Sequence, residues 1–195
     1  MNYTDILLPQ KSVSTRAINI AVVLGTSWLI WISAQISINI PFSPVPITGQ
    51  TLVILLAGLI LGKTRGTASV AAYLVQGAAG LPVFAGGKSG LVTLFGPTGG
   101  YLFGFLAAAY IVGLLSELRH KRSLFQAASS LLIGNIIIYF FGLLWLARFV
   151  GETRSLELGL YPFLVGDVLK ILLGIVIVGG GSLLIERINQ YRELD

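Results

Sequence analysis

An acidic and a basic side chain lie three residues apart in an apolar stretch near the end of the sequence, at Asp167 and Lys170. On a helix, two residues at this spacing share one face, about one turn apart. A charged group inside a membrane helix costs at least ~2.5–3.5 kcal/mol unless it finds a partner, so it marks a functional site by default. A carboxylate beside an ammonium offers an acceptor and a donor to a ligand that carries both N–H and carboxylate groups. The alternative interpretation is a neutralised pair, or a lysine that reaches up to water.

A further cation, Lys88, lies in the glycine-rich run Gly86-Gly87-Lys88-Ser89-Gly90. The run superficially resembles the end of a phosphate-binding loop. That motif needs a glycine five positions before its second glycine, where this chain has Pro82. We therefore reject nucleotide binding. Lys88 is either a contact for an anionic ligand or a solvated loop residue.

Asn135 and Tyr139 lie four residues apart in another apolar segment and share a helix face. They can form hydrogen bonds to an amide or ureido group of a ligand, or to a neighbouring helix. The chain has one histidine, His120, inside a basic cluster where a solvated charge is the expected role. There are no cysteines, and the apolar segments carry no Ser/His couple, no His/Glu metal cluster and no carboxylate pair. We therefore predict no catalytic residues, no bound metal and no resident cofactor.

The composition assigns these residues to a membrane protein. The chain is 55% hydrophobic and only 11% charged, against about 25% charged residues in a soluble domain. Apolar segments fall at 17–38, 47–61, 67–80, 98–117, 124–148 and 162–185. Four of them reach the ~17–25 residues that a spanning helix needs. The second and third are shorter and are bounded by proline- and glycine-rich stretches, which is typical of a transporter's binding cavity.

The lysines and arginines predict which side of the membrane each loop faces. With both termini in the cytoplasm, the inner loops and termini hold most of these residues: Lys11, Arg16, Lys63, Arg65, Arg119, Lys121, Arg122, Arg187 and Arg192. The outer loops hold three, at Lys88, Arg148 and Arg154. This bias predicts an all-α integral membrane protein of six transmembrane helices with cytoplasmic N and C termini. We expect residues 1–195 to form one domain. In this orientation the loops at 40–46, 81–97 and 149–161 face outward. The long 81–97 loop is expected to be folded against another structure instead of extending into water.

The first segment also carries a ladder of small residues at Ala17, Ala21 and Gly25. A ladder of this kind lets a second helix approach closely. Packing within the chain and docking of a partner subunit are both open interpretations.

Three runs and one residue pair together resemble the biotin-specific S component of energy-coupling factor (ECF) transporters, the BioY family. The runs are Pro44-Val45-Pro46-Ile47-Thr48-Gly49-Gln50-Thr51, Gly80-Leu81-Pro82-Val83-Phe84 and Leu94-Phe95-Gly96-Pro97-Thr98-Gly99-Gly100-Tyr101. The pair is Asp167-x-x-Lys170. The likeness covers essentially the whole chain.

The resemblance implies a six-helix protein that captures biotin in an outward cavity, under the loop between the first two spans, in the cell membrane. It implies ligand contacts at Asp167 and Lys170, with Thr48 and Gln50 at the cavity mouth. Phe84 and Tyr101 lie in the matching runs and are further candidates. Some family members have Arg where this chain has Leu102, which makes Lys88 the candidate contact for the biotin carboxylate.

The resemblance also implies partners. Ala17 and Ala21 would dock onto the transmembrane T subunit of an energising module, whose two ATPase subunits are separate chains that use ATP. No nucleic acid is expected, because the basic residues form no single stripe. An S component for another small vitamin and a stand-alone membrane biotin carrier are the alternatives.

Overall fold

A computed structural model describes residues 15–118 and 123–192, with side chains described for 16–118 and 123–181. His120 and its basic neighbours lie outside the described residues. The helices are α1 Thr15–Gln35, α2 Gln50–Ala78, α3 Gly90–Phe95, α4 Gly99–Leu118, α5 Leu124–Val150, α6 Glu152–Gly159 and α7 Leu164–Arg192. Strands β1 Ser37–Ile38 and β2 Ile47–Thr48 pair antiparallel. Single 3-10 turns lie at Ala85–Gly87 and Tyr161–Phe163.

The α2 helix is a hairpin and not a straight rod. Gly62 has a φ of 80° and a ψ of 177°, which is outside the helical region and which a residue with a side chain rarely adopts. The Gln50 side chain donates a hydrogen bond to the Tyr73 hydroxyl, although 23 residues of straight helix would span about 35 Å. The chain therefore reverses at Gly62, and the halves 50–61 and 63–78 run antiparallel.

This reversal bears on the number of membrane segments. Among the described residues, five helical stretches are long and apolar enough to cross a membrane: α1, α2, α4, α5 and Glu152–Gly181, which covers α6 and the first part of α7. Because α2 folds back on itself, five stretches make six segments. The predicted all-α membrane fold is confirmed, and so is the shortness of the second and third segments. An even number of crossings brings residues 15 and 192 to the same side, as the charge bias requires.

The α2 hairpin, α4 and α5 form the centre of the bundle, while α1 packs on α2 and α7 packs on α5. Fully buried side chains in this centre include Ile54, Tyr73, Val112 and Leu131. At the reversal, α4 comes so close that a Cβ added to Gly113 would lie 2.4 Å from the Lys63 nitrogen. The Glu117 carboxylate accepts the Lys63 backbone N–H at 2.9 Å and lies 3.4 Å from the Lys63 Nζ atom. Contacts between backbones thus set the depth of the hairpin in the bundle.

The predicted outer loops contain more regular structure than expected. Residues 36–49 form a short β-hairpin, which we call the outer hairpin. The predicted loop at 81–97 contains a 3-10 turn and α3, and the predicted loop at 149–161 contains α6. Gly151 begins α6 with a φ of 86°, so the chain turns sharply at the end of α5. These pieces are too short for a periodic pattern to predict, and they cover the outer end of the bundle.

Candidate functional site

Asp167 and Lys170 form an ion pair in the first two turns of α7. The Lys170 ammonium lies 3.0 Å from one Asp167 oxygen and 3.0 Å from the Thr51 hydroxyl oxygen, to which it also donates. The other Asp167 oxygen accepts the hydroxyl of Tyr139. Only 18% of the Lys170 side chain and 10% of the Asp167 side chain are exposed. Four side chains from α2, α5 and α7 thus form one network, in which the two charges neutralise each other.

Asn135 lies one helical turn from Tyr139 on α5 and is 5% exposed. Its side-chain oxygen is buried and has no hydrogen-bond partner among the described residues. Buried polar atoms in folded proteins almost always have a partner, so such an atom needs an explanation. Asn135 lines the same cavity as Asp167 and Lys170. Its oxygen is therefore an acceptor available to a donor that enters the cavity.

Gln50 and Thr48 form a second polar group, at the start of α2. The Thr48 hydroxyl lies 3.2 Å from the Gln50 side-chain oxygen, and the Gln50 amide donates to Tyr73. Gln50 is only 3% exposed, so it is a buried part of the cavity wall, and its place at the cavity mouth stays a prediction. The reversal at Gly62 makes the bond to Tyr73 possible, because it places Tyr73 beside the first turn of α2.

Tyr101 and Phe84 supply the aromatic walls. The Tyr101 hydroxyl donates to the Gly159 carbonyl at 2.8 Å, and its ring meets the Tyr139 ring edge-on with centroids 6.5 Å apart. Phe84 is 1% exposed and stacks edge-on against Tyr73, at 5.6 Å between centroids. Both rings are therefore fixed by neighbours on other helices.

Lys88 is exposed and lines the cavity from the turn that follows Phe84. The Phe84 N–H donates to the Lys88 carbonyl at 3.0 Å, and the Gly87 N–H donates to the Phe84 carbonyl at 3.0 Å. These bonds fold the 81–97 segment back on itself, with Phe84 buried and Lys88 at the water-facing side. The cavity thus has a neutralised ion pair at its inner end and a cation at its outer end.

All nine residues predicted to contact a ligand line this one cavity: Thr48, Gln50, Phe84, Lys88, Tyr101, Asn135, Tyr139, Asp167 and Lys170. Their roles as ligand contacts stay predictions. Between the polar ends the wall is apolar and includes Val45, Leu102, Phe105, Ile138 and Phe163. Val45 and Pro46 belong to the outer hairpin, which is therefore one wall of the cavity.

The sequence reasoning missed several lining or supporting residues, among them Thr51, Tyr73 and Phe163. Thr51 holds Lys170, and Tyr73 holds Gln50. A hydroxyl at the start of an apolar segment was the available signal for Thr51. Tyr73 and Phe163 carry no local signal, because each is an ordinary aromatic residue in an apolar stretch.

The small-residue ladder lies on the other side of the molecule. Ala17, Ala21 and Gly25 are all exposed, and nothing lies within 4 Å of a Cβ added at Gly25. These residues belong to α1, which has fully buried side chains only nearer its outer end, where Ser27, Ile30 and Ala34 pack inward. Packing of this ladder within the described part of the chain is therefore not observed.

Taken together, the fold and the cavity define a polytopic membrane protein with a cavity of small-molecule size that has polar groups at both ends. Comparison with known proteins narrows this class. A sequence model of the BioY family matches residues 9–187, and the chain belongs to that family.

Its relatives and one solved structure agree with this assignment. The chain is 42% identical to a probable biotin transporter BioY from Pyrococcus horikoshii, over 75% of this chain and 85% of that protein. It is 41% identical to the biotin transporter BioY of Thermotoga maritima, over 72% of this chain and 82% of that protein. The crystal structure of an S-component for biotin from an ECF-type ABC transporter superposes with a TM-score of 0.76, at 31% identity, covering 86% of this chain and 93% of that one. The resemblance seen in the sequence is confirmed.

Proposed function

We propose that this chain is the biotin-capturing S component of an ECF-type uptake transporter in the cell membrane. The relatives support this function by name, since they are biotin transporters and an S-component for biotin. The same comparisons favour transport over catalysis. The stand-alone carrier is not favoured, because the matching structure is one component of a larger transporter.

The observation that carries the proposal is the set of polar groups at the inner end of the cavity. Biotin has a ureido group with two N–H donors and one carbonyl acceptor. Asn135 presents an unpaired acceptor, Asp167 has lone pairs beyond its two bonds, and Lys170 donates to two partners among the described residues. An ammonium has three donors, so one of them is available for the ureido carbonyl. Donors and acceptors therefore match in kind at this end.

The rest of the cavity suits the rest of the ligand. The apolar wall between Phe84, Phe105 and Ile138 suits the thioether ring and the valeryl chain. Lys88, at the water-facing side, offers a cation to the terminal carboxylate. Capture in this arrangement is non-covalent and needs no cofactor in this chain, and ATP is used by the partner subunits.

Those partners are the transmembrane T subunit and two ATPase subunits of the energising module. The exposed ladder at Ala17 and Ala21 is the proposed docking surface for the T subunit. From residue 16 to residue 25 of α1, every residue is either exposed or only partly buried by the rest of the described chain. A helix surface of small residues suits close approach by another membrane helix.

The binding proposal is tested by calorimetry with biotin on the purified full chain. We expect Asp167→Asn and Lys170→Met to weaken binding about 10- to 100-fold, which is the loss of one or two charge-assisted hydrogen bonds. Lys63→Met is the matched control, because it breaks the ion pair with Glu117 at the other end of the bundle and should leave the affinity unchanged. Unchanged affinity for biotin in both cavity variants would show that Asp167 and Lys170 do not contact the ligand. A thermal-shift panel of small vitamins in which another compound stabilises the chain more than biotin would refute the choice of ligand.

A further inference from the structure

The C-terminal end of α6 is contacted from two sides by hydroxyl groups. The last carbonyls of a helix have no partner within the helix. Here the Gly159 carbonyl accepts the Tyr101 hydroxyl at 2.8 Å, and the Leu158 carbonyl accepts the Ser43 hydroxyl at 2.7 Å. Tyr101 belongs to the cavity wall and Ser43 to the outer hairpin. Two neighbouring carbonyls therefore join the hairpin to the wall.

The outer hairpin is held together by bonds and prolines of its own. Its strands pair Ser37 with Thr48 and Ile38 with Ile47, and the Gly49 N–H donates to the Ile36 carbonyl at 3.2 Å. The tip carries three prolines, Pro41, Pro44 and Pro46, each of which fixes its own φ angle. With a stiff tip and a paired base, the hairpin is expected to open by moving away from the bundle as a unit, while its two strands stay paired.

Ser43 is the residue that fastens this tip. Its N–H donates to the Ile40 carbonyl at 3.1 Å, and its oxygen accepts the Val45 N–H at 3.1 Å. Its hydroxyl has two carbonyls in reach, that of Leu158 at 2.7 Å and that of Val45 at 3.2 Å. The shorter bond has the better length for an O–H donor, and it connects positions 115 residues apart in sequence.

The bond does not involve the ligand site directly. Ser43 and Leu158 do not line the cavity, whereas Val45 and Pro46 of the same hairpin do. The bond therefore stabilises the closed position of the hairpin by the same amount whether the cavity is filled or not. A contact of that kind changes how fast a ligand passes without changing how tightly it is held.

We propose that Ser43 is a positioning residue, which sets the rates of biotin entry and exit by fastening the outer hairpin to α6. This inference rests on the proposed function. Removal of the hydroxyl makes the open position more frequent in both the empty and the filled chain. Association and dissociation are then accelerated by the same factor, and the dissociation constant stays the same.

The test measures both rate constants for radiolabelled biotin on the full chain in nanodiscs, with excess unlabelled biotin to follow release. We expect Ser43→Ala to raise both rate constants about three- to tenfold, the effect of one hydrogen bond, with a dissociation constant within about twofold of the original. Ser43→Thr keeps the hydroxyl and should restore the original rates. Ser37→Ala is the matched control in the same hairpin, since the Ser37 hydroxyl makes no hydrogen bond to any described residue, and its rates should not change.

Two results would overturn the inference. One is a Ser43→Ala chain with unchanged rates. The other is faster release without faster binding, which would mean that the hydroxyl stabilises only the filled state. Failure of the unchanged chain to bind biotin would refute the proposed function and this inference with it, whereas binding with unaltered variant rates refutes the inference alone.

Discussion

Single residues in this cavity are held in place by other residues before any ligand arrives. Both Asp167 oxygens accept hydrogen bonds, from Lys170 and Tyr139, and Lys170 is held in turn by Thr51. The side chains therefore lose little freedom when they bind a ligand, which favours tight binding. Lys88 is the exception, because it is exposed, and its contribution should be smaller and sensitive to salt.

Replacement of Lys88 tests which end of the ligand faces outward. We expect Lys88→Met to weaken the binding of biotin about three- to tenfold and to leave the binding of biotinamide unchanged, because the amide has no charge for the ammonium to attract. Arg154→Met is the control, since Arg154 is also exposed on the outer side but does not line the cavity. Competition binding at low and at physiological salt would measure the affinities for biotin and for biotinamide in each variant. An equal loss for biotin and its amide would contradict a carboxylate contact at Lys88.

The sequence predicts those site residues that conflict with their surroundings. Asp167 and Lys170 stand out because a charge in an apolar segment needs a reason, and Asn135 stands out for the same reason to a lesser degree. Tyr73 and Thr51 do not conflict with their segments, so their role as partners of Gln50 and Lys170 depends on tertiary packing. The family resemblance brought Thr48, Gln50, Phe84 and Tyr101 into consideration, and the structure places all four along the same cavity.

At the level of helices, the feature that most determines the arrangement of the bundle is the reversal of α2. Hydropathy places two short segments at 47–61 and 67–80, but it does not show how closely they pack. The added Cβ of Gly66 would lie 2.8 Å from the Gly58 Cα atom and from the Ala57 carbonyl oxygen. Small residues therefore let the two halves touch backbone to backbone. The sequence could not predict α3 and α6 because each is at most eight residues long, too short for a helical period to be read.

Because α4 approaches this reversal closely, one methyl group added at Gly113 should lower the stability of the fold markedly. In Gly113→Ala, the new Cβ would lie 2.4 Å from the Lys63 nitrogen and 2.5 Å from its Cα atom. These are backbone atoms, so the two helices must separate, at a cost of roughly 1–3 kcal/mol. We expect the unfolding temperature in detergent to fall by roughly 3–10 °C. Gly25→Ala is the matched control, with nothing within 4 Å of its new Cβ and a better helix former in place. Equal unfolding temperatures for the two variants would contradict the close packing at Gly113.

At the level of the whole molecule, the two ends of the bundle have different surfaces. The outer end is covered by the outer hairpin, α3 and α6, which enclose the cavity. Towards the cytoplasm, α1 exposes its small residues, and the charge bias assigns that side to the inner face of the membrane. In the proposed function, one side of the molecule receives the ligand, and the exposed small residues on the other side are the proposed surface for the energising module. Six segments whose polar, ligand-sized cavity lies at the outer end are consistent with a subunit that depends on partners for transport.

This division of the surface predicts that binding and assembly can be separated. We expect Ala17→Trp and Ala21→Trp to abolish co-purification with the T subunit and the ATPases, because an indole on a small-residue ladder prevents close approach of another helix. Biotin binding by the isolated chain should stay unchanged, since both positions lie outside the cavity. Ile136→Trp is the control for added bulk on the membrane-facing surface, as Ile136 is 58% exposed on α5, and it should co-purify normally. Intact association of both alanine variants would show that the module docks elsewhere, and loss of biotin binding in them would show that the cytoplasmic half of α1 also shapes the cavity.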